Sequence, residues 1–125
     1  MGEKVVLITG ASRGIGAAAA RRVAAGGCKV AVNYLHSREQ AEALAKEIGG
    51  WAVRADVTDP VQVQNMVDEL LDKFCQLDIL ICNAGVAQQK LFGDLTDEDW
   101  RRVFAVNVDG AFYAIRAALP HFIHR

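Results

Sequence analysis

The chain has 125 residues, with 14 Lys and Arg against 15 Asp and Glu for a formal net charge of −1. Its 52% hydrophobic and 23% charged content is that of one soluble globular core, which excludes a fibrous or disordered chain. Near-neutral charge offers no pull toward nucleic acid or an anionic membrane, no apolar run nears the ~20 residues of a membrane span, and the start lacks a secretory leader's apolar stretch.

Residues 1–125 show no repeat, low-complexity tract or linker, so one domain is expected. Val5 to Ile8 is a short β-branched run and reads as a strand buried on both faces. Gly14 to Ala25 is Ala-rich and ends at Gly26-Gly27, a helix with a glycine stop. Lys29 to Tyr34 is a second strand, and Ser37 is placed to cap a helix that reaches Ile48 before Gly49-Gly50. Trp51 to Ala55 is a third, weaker strand. Thr58-Asp59-Pro60 starts a helix running to about Phe74, with Val63, Met66, Val67, Leu70, Leu71 and Phe74 on one side. Leu77 to Cys82 is the fourth strand, with Cys82 expected as a small core residue. A loop leads to Thr96-Asp97-Glu98-Asp99, a capping box for a helical stretch to the end, with Pro120 placed to kink or stop it. Strands joined by helices of this length run parallel with right-handed crossovers. The class is α/β.

Thr9-Gly10-Ala11-Ser12-Arg13-Gly14-Ile15-Gly16 lies where the first strand passes into the first helix. Gly10 permits a sharp turn, Gly14 lets a phosphate approach the backbone, and Gly16 removes bulk where helix crosses strand. The helix start adds unpaired N–H groups and about half a positive charge. A glycine turn can also be only a tight connection, but the strand before and helix after favour phosphate binding.

Thr-Gly-x-x-x-Gly-Ile-Gly resembles the short-chain dehydrogenase/reductase family, and three further motifs follow in that family's order. Asp56-Val57 stands where the family places an Asp near the adenine ring. Asn83-Ala84-Gly85 matches its Asn-Ala-Gly beside the cofactor, and Asn107 matches the Asn of its catalytic tetrad. Each also has a structural reading: Asp56 as a helix-initiating acid, Asn83 as a turn former, Asn107 as a break between two helices. The resemblance implies a Rossmann-like doubly wound parallel sheet, here truncated after about four βα units in the order 3-2-1-4. It also implies hydride transfer between a nicotinamide cofactor and a carbonyl or alcohol carbon. The wording "VVLITGASRGIG" and "DILICNAG" looks most like the branch that reduces 3-oxoacyl thioesters in fatty acid biosynthesis.

An NAD-selective site carries an acid about twenty residues past the glycine turn. Here Asn33, Tyr34, Leu35 and His36 occupy that place, so nothing repels a 2′-phosphate, and Arg13 or Arg38 can pair with it. NADP(H) is expected over NAD(H).

The family's acid/base Tyr, its Lys four residues on, and its Ser are missing. Arg38 follows Tyr34 at that spacing and Ala117 follows Tyr113. The expectation is an N-terminal portion of a reductase that binds cofactor at most; the alternative is a non-catalytic nucleotide-binding or regulatory module. The fourth strand then becomes an apolar edge prone to self-association. The last helix, with Phe104, Phe112, Ile115, Leu119 and Phe122, corresponds to a region the family uses for subunit contacts, and the same residues also suit simple cover for the sheet. His121 and His124 lack a third ligand, so no metal site is expected. Cys28, Cys75 and Cys82 form neither CxxC nor an even framework, which points to the reducing cytoplasm.

Overall fold

The structure is a computed structural model, and it describes residues 3–86, 90 and 92–123; His124 of the histidine pair lies outside them. Four strands, β1 (Val5–Ile8), β2 (Lys29–Tyr34), β3 (Trp51–Arg54) and β4 (Ile79–Ile81), form one parallel sheet in the order β3-β2-β1-β4. Between and after them run α1 (Gly14–Ala25), α2 (Arg38–Ile48), α3 (Pro60–Phe74), α4 (Asp97–Phe104) and α5 (Gly110–Ile123).

The alternation of a strand divides the core in two. Val5 and Leu7 of β1 point to the layer of α3 and α5, where Val63, Met66, Val67 and Leu70 meet Ala114, Ala117 and Ala118. Val6 and Ile8 point the other way, onto Ala17 and Ala20 of α1 and Ala41 and Leu44 of α2. Both faces of β1 are therefore dry, which is why its sequence is an unbroken apolar run. Truncating fully buried Leu7 to Ala is the kind of change that costs about 2–5 kcal/mol.

Helix ends follow the local chemistry closely. Gly49 takes the left-handed conformation at φ 67° and closes α2. Asp59 caps α3 by accepting from the Val61 amide at 3.0 Å, with Pro60 in the first position. Thr96 and Asp99 cap α4 reciprocally, at 3.0 and 3.1 Å.

Five features differ from the expectation. Ser37 stands before α2 but its side chain makes no cap; its carbonyl takes the Ala41 amide instead. The strand β3 ends at Arg54, one residue early, although the Ala55 amide still reaches the Tyr34 carbonyl at 3.0 Å. Only three residues make up β4, because the Asp78 carboxylate takes the Val5 amide at 2.7 Å where a strand carbonyl would. The long C-terminal helical stretch is broken by a π-helical turn at Ala105–Asp109, and Pro120 lies inside α5 without ending it at once. Cys82 is exposed rather than core, since among the described residues β4 pairs only with β1 and nothing covers the chain beyond it. The burial its thiol retains still pushes that pKa above the ordinary thiol value.

Candidate functional site

The four strands end on one side of the sheet, and the first chain reversal in strand order falls between β1 and β4. Chains leaving adjacent strands there diverge to opposite faces, which opens a crevice. Thr9 ties its two lips together: its buried hydroxyl accepts from the Asn83 and Ala84 amides, both at 3.0 Å. The Asn83 side-chain amide returns a bond to the Gly10 carbonyl at 2.9 Å.

The glycines of the turn have separate reasons. Gly10 has φ +62°, and a Cβ on it would stand 2.8 Å from the Cα of Ala84. A Cβ on Gly16 would stand 2.5 Å from the Asn83 side-chain nitrogen and 2.9 Å from the Gly10 carbonyl oxygen. Gly14 is different: φ is again +62°, but nothing lies within 4 Å of the missing Cβ. That bare backbone faces open space at the start of α1, whose first turn carries no acidic residue. The N-terminal amides and the helix dipole give this corner a positive potential. The residues present fit a diphosphate.

A cleft of about 650 Å³ extends from this corner. Gly10, Ser12, Arg13 and Gly14 form one wall, with Asn33 and Tyr34 at the end of β2. Asp56 and Val57 form the opposite wall, and Asn83, Ala84 and Gly85 close the side beyond β4. Three motifs far apart in sequence thus meet in one cavity. Ala11 is fully buried and Gly16 lies buried under the turn, so both shape the site from behind. Ile15 is 82% exposed on the first turn of α1, and Arg38 is exposed at the head of α2; neither lines the cleft.

Asp56 takes its structural reading and also lines the cleft. One carboxylate oxygen accepts from the Thr58 amide and hydroxyl at 2.9 and 2.7 Å, shaping the entry to α3. Asn107 takes its structural reading. It sits in the π-helical turn between α4 and α5, and its carboxamide pairs with Val86 twice, accepting from the amide at 2.8 Å and donating to the carbonyl at 2.9 Å. Asn107 itself does not line the cleft; its link to it is Val86, which does.

Beyond the residues the motifs name, the structure adds Val86, Arg102 and Val106 to the site. Arg102 and Val106 carried no sequence signal, because only the placement of α4 and the turn after it brings them to the cleft.

A parallel 3-2-1-4 sheet, with helices on both faces and a glycine turn after the first strand, defines a Rossmann-like α/β fold. The chain belongs to the short chain dehydrogenase family, whose pattern it matches over residues 4–125. It is 38% identical over 127 residues to the 3-oxoacyl-acyl-carrier-protein reductase FabG of Staphylococcus aureus, covering 98% of this chain and 52% of that protein. The 3-ketoacyl-acyl-carrier-protein reductase of Brucella melitensis, solved with NADH, superposes with a TM-score of 0.92 at 37% identity, over 97% of this chain and 50% of that one. A blue fluorescent protein from a metagenomic library, solved with NADPH, superposes with a TM-score of 0.87 at 39% identity, over 94% and 50%. The chain spans about half the length of the curated relatives it matches.

Proposed function

We propose that this chain forms the cofactor-binding half of an oxidoreductase that moves a hydride between NADP(H) and a carbonyl or alcohol carbon, with 3-oxoacyl thioesters as the substrate class. The observation that carries the reading is the bare backbone at Gly14, facing open space beside the amides of α1. Those amides hold the diphosphate, Asp56 and Val57 flank the adenosine end, and Asn83 to Gly85 flank the nicotinamide end. The bound cofactor supplies the hydride. The likeness to FabG and to the Brucella reductase supports the substrate class.

The preference for NADP(H) rests on the residues about the end of β2. Tyr34, Leu35, His36 and Ser37 line the cleft there and bring no carboxylate to repel a 2′-phosphate. Arg13 lines the same cleft, whereas Arg38 does not, so Arg13 is the guanidinium we assign to the phosphate. Dissociation constants for NADPH and NADH, followed by cofactor fluorescence, test this. Arg13→Ala is expected to weaken NADPH by about tenfold or more, the worth of a charge-assisted contact, and to leave NADH nearly unchanged. Tighter binding of NADH to the unaltered chain overturns the assignment.

Residues 1–125 alone are proposed to bind without turnover. A phenol of pKa ~10 is a poor base at neutral pH unless a cation lowers it, and neither tyrosine has the Lys four residues on. Tyr34 is also buried. Oxidation of NADPH with a β-ketoacyl thioester clearly above a blank refutes this.

The reading further places the protein in the cytoplasm, as a homo-oligomer without nucleic-acid or membrane partners. The balanced charge supports the latter, and no helix among the described residues is long and apolar enough to cross a membrane. Exposed Phe104, Val108, Phe112, Ile115 and Leu119 recur every three or four residues and support contact between copies. A single light-scattering mass equal to one chain at every concentration contradicts it.

A further inference from the structure

Asn33 is a carboxamide inside an otherwise apolar stretch of β2, only 2% exposed. Such a group is tolerated when each of its polar atoms has a partner. Its Oδ1 accepts from the Gly10 amide at 3.1 Å. Its Nδ2 donates to the Ala55 carbonyl at 3.2 Å and faces those of Tyr34 and Val53 at 3.4 Å. Its own backbone carbonyl takes the Ala11 amide at 2.9 Å. Gly10 and Ala11 belong to the turn on one wall of the cleft, and Ala55 leads directly into Asp56 on the other. One side chain therefore bridges the two walls. Packing in β2 does not ask for a carboxamide; a valine would fill much of the same space and leave the Gly10 amide unpartnered.

We propose that Asn33 is a positioning residue: it sets the separation of the glycine turn and the Asp56 loop, acting on a bound dinucleotide through Gly10 and Ala55. The bond pattern is directional, with an acceptor toward the turn and a donor toward Ala55. The inference rests on the dinucleotide reading above for its binding consequence, and on the fold alone for its structural one.

That directionality supplies the test. In Asn33→Asp a neutral carboxyl reproduces the pattern, its carbonyl accepting from Gly10 and its hydroxyl donating to Ala55. An ionised one turns acceptors on carbonyls and breaks it. Burial raises a carboxyl's pKa by up to 3–5 units, so the change falls between about pH 5 and pH 9. The NADPH dissociation constant and the Gly10 and Asp56 amide resonances are measured across that range for the unaltered chain, Asn33→Asp and Asn33→Leu. Other titratable groups around the site, Arg13 on the turn, Tyr34 and His36 after β2, Arg54 and Asp56 after β3, are common to all three, so ratios to the unaltered chain isolate position 33.

The expected result is an Asn33→Asp ratio within about threefold at the acid end, rising to about tenfold or more at the alkaline end as both amide resonances shift together. Asn33→Leu should be weakened at every pH, with no titration. Flat ratios near one for both variants, with only melting temperatures changed, overturn the proposal. Unfolding of both variants at every pH overturns it too, since it assigns Asn33 to the core at large. Should the unaltered chain bind no dinucleotide, the functional reading fails while the two resonances still decide the role of Asn33.

Discussion

Substituting Gly16 by alanine sets two effects of known size against each other. Alanine inside a helix is better than glycine by about 1 kcal/mol. Against that, the new Cβ would meet the Asn83 side-chain nitrogen at 2.5 Å and the Gly10 carbonyl oxygen and Ala11 Cα at 2.9 Å. Two of these three are backbone atoms of a tight turn and cannot swing aside. Overpacking of this kind costs about 1–3 kcal/mol, and loss of the Asn83 bond to Gly10 adds about 1 kcal/mol. The net is a loss of about 1–3 kcal/mol, or roughly 3–15 °C in melting temperature for a domain of this size. Gly14→Ala is the internal control. Its Cβ meets nothing, so only the strain of φ +62° remains, about 1–2 kcal/mol, with no helix gain to offset it because that φ is not helical. The two variants should destabilise by comparable amounts, while Gly14→Ala, placed at the open face, should impair NADPH binding more than its stability loss explains. Urea denaturation and cofactor fluorescence measure both. A Gly16→Ala chain as stable as the unaltered one would refute the steric account of the crossing.

Thr9→Val keeps the shape of the side chain but removes the acceptor of two amides, and should cost about 2 kcal/mol, read as a lower urea midpoint at unchanged slope; an unmoved midpoint contradicts it. The Asp99 carboxyl is held at a pKa of about 2, first by its hydrogen bond from Lys90 and then by the Thr96 amide. Because this pKa is depressed, the contribution of the carboxylate to the α4 cap is complete above the ordinary value near 4 and fades as the pH falls toward 2. An NMR titration of Asp99 with its midpoint at 3.8 would exclude the contact, and Lys90→Ala should move the midpoint upward. Ile79, 37% exposed on β4, offers an apolar side chain on a strand that, among the described residues, pairs with β1 alone; Ile79→Lys should reduce light scattering at high concentration, and equal scattering would contradict association through this edge.

Where a local pattern has one physical solution, sequence and structure coincide. The bounds of β1, α1, β2, α2 and α3 follow from apolar runs punctuated by Gly26-Gly27 after α1, Gly49 after α2 and Asp59 before α3, because a glycine stop or a capped amide is decided within four residues. The departures arise where a distant group competes. Asp78 shortens β4 by bonding a residue 73 positions away, and nothing near Leu77 could announce it. The π-helical turn around Asn107 depends on Val86, 21 residues back. The site divides in the same way. Gly10, Gly14 and Asn83 were legible from type and spacing, whereas Arg38 lies off the cleft although His36 and Ser37 just before it line the wall, because α2 starts at Arg38 and carries its side chain away.

The last two motifs form a single device. Asparagine is a poor residue for a helix interior, and a π-helical turn gives up regular hydrogen bonding, so two unfavourable features coincide at one place. What offsets them is the pair of bonds from Asn107 to both backbone groups of Val86, which a loop leaving an edge strand would otherwise leave to water. Gly85 makes the approach feasible: a Cβ on it would stand 3.3 Å from Asn107 Oδ1, tighter than ordinary contact. The small residue in Asn83-Ala84-Gly85 and the asparagine twenty-odd positions later therefore require one another. Their joint effect is to hold Val86 against the turn between α4 and α5, so that the wall tied to the glycine turn through Thr9 and Asn83 is anchored at its other end as well.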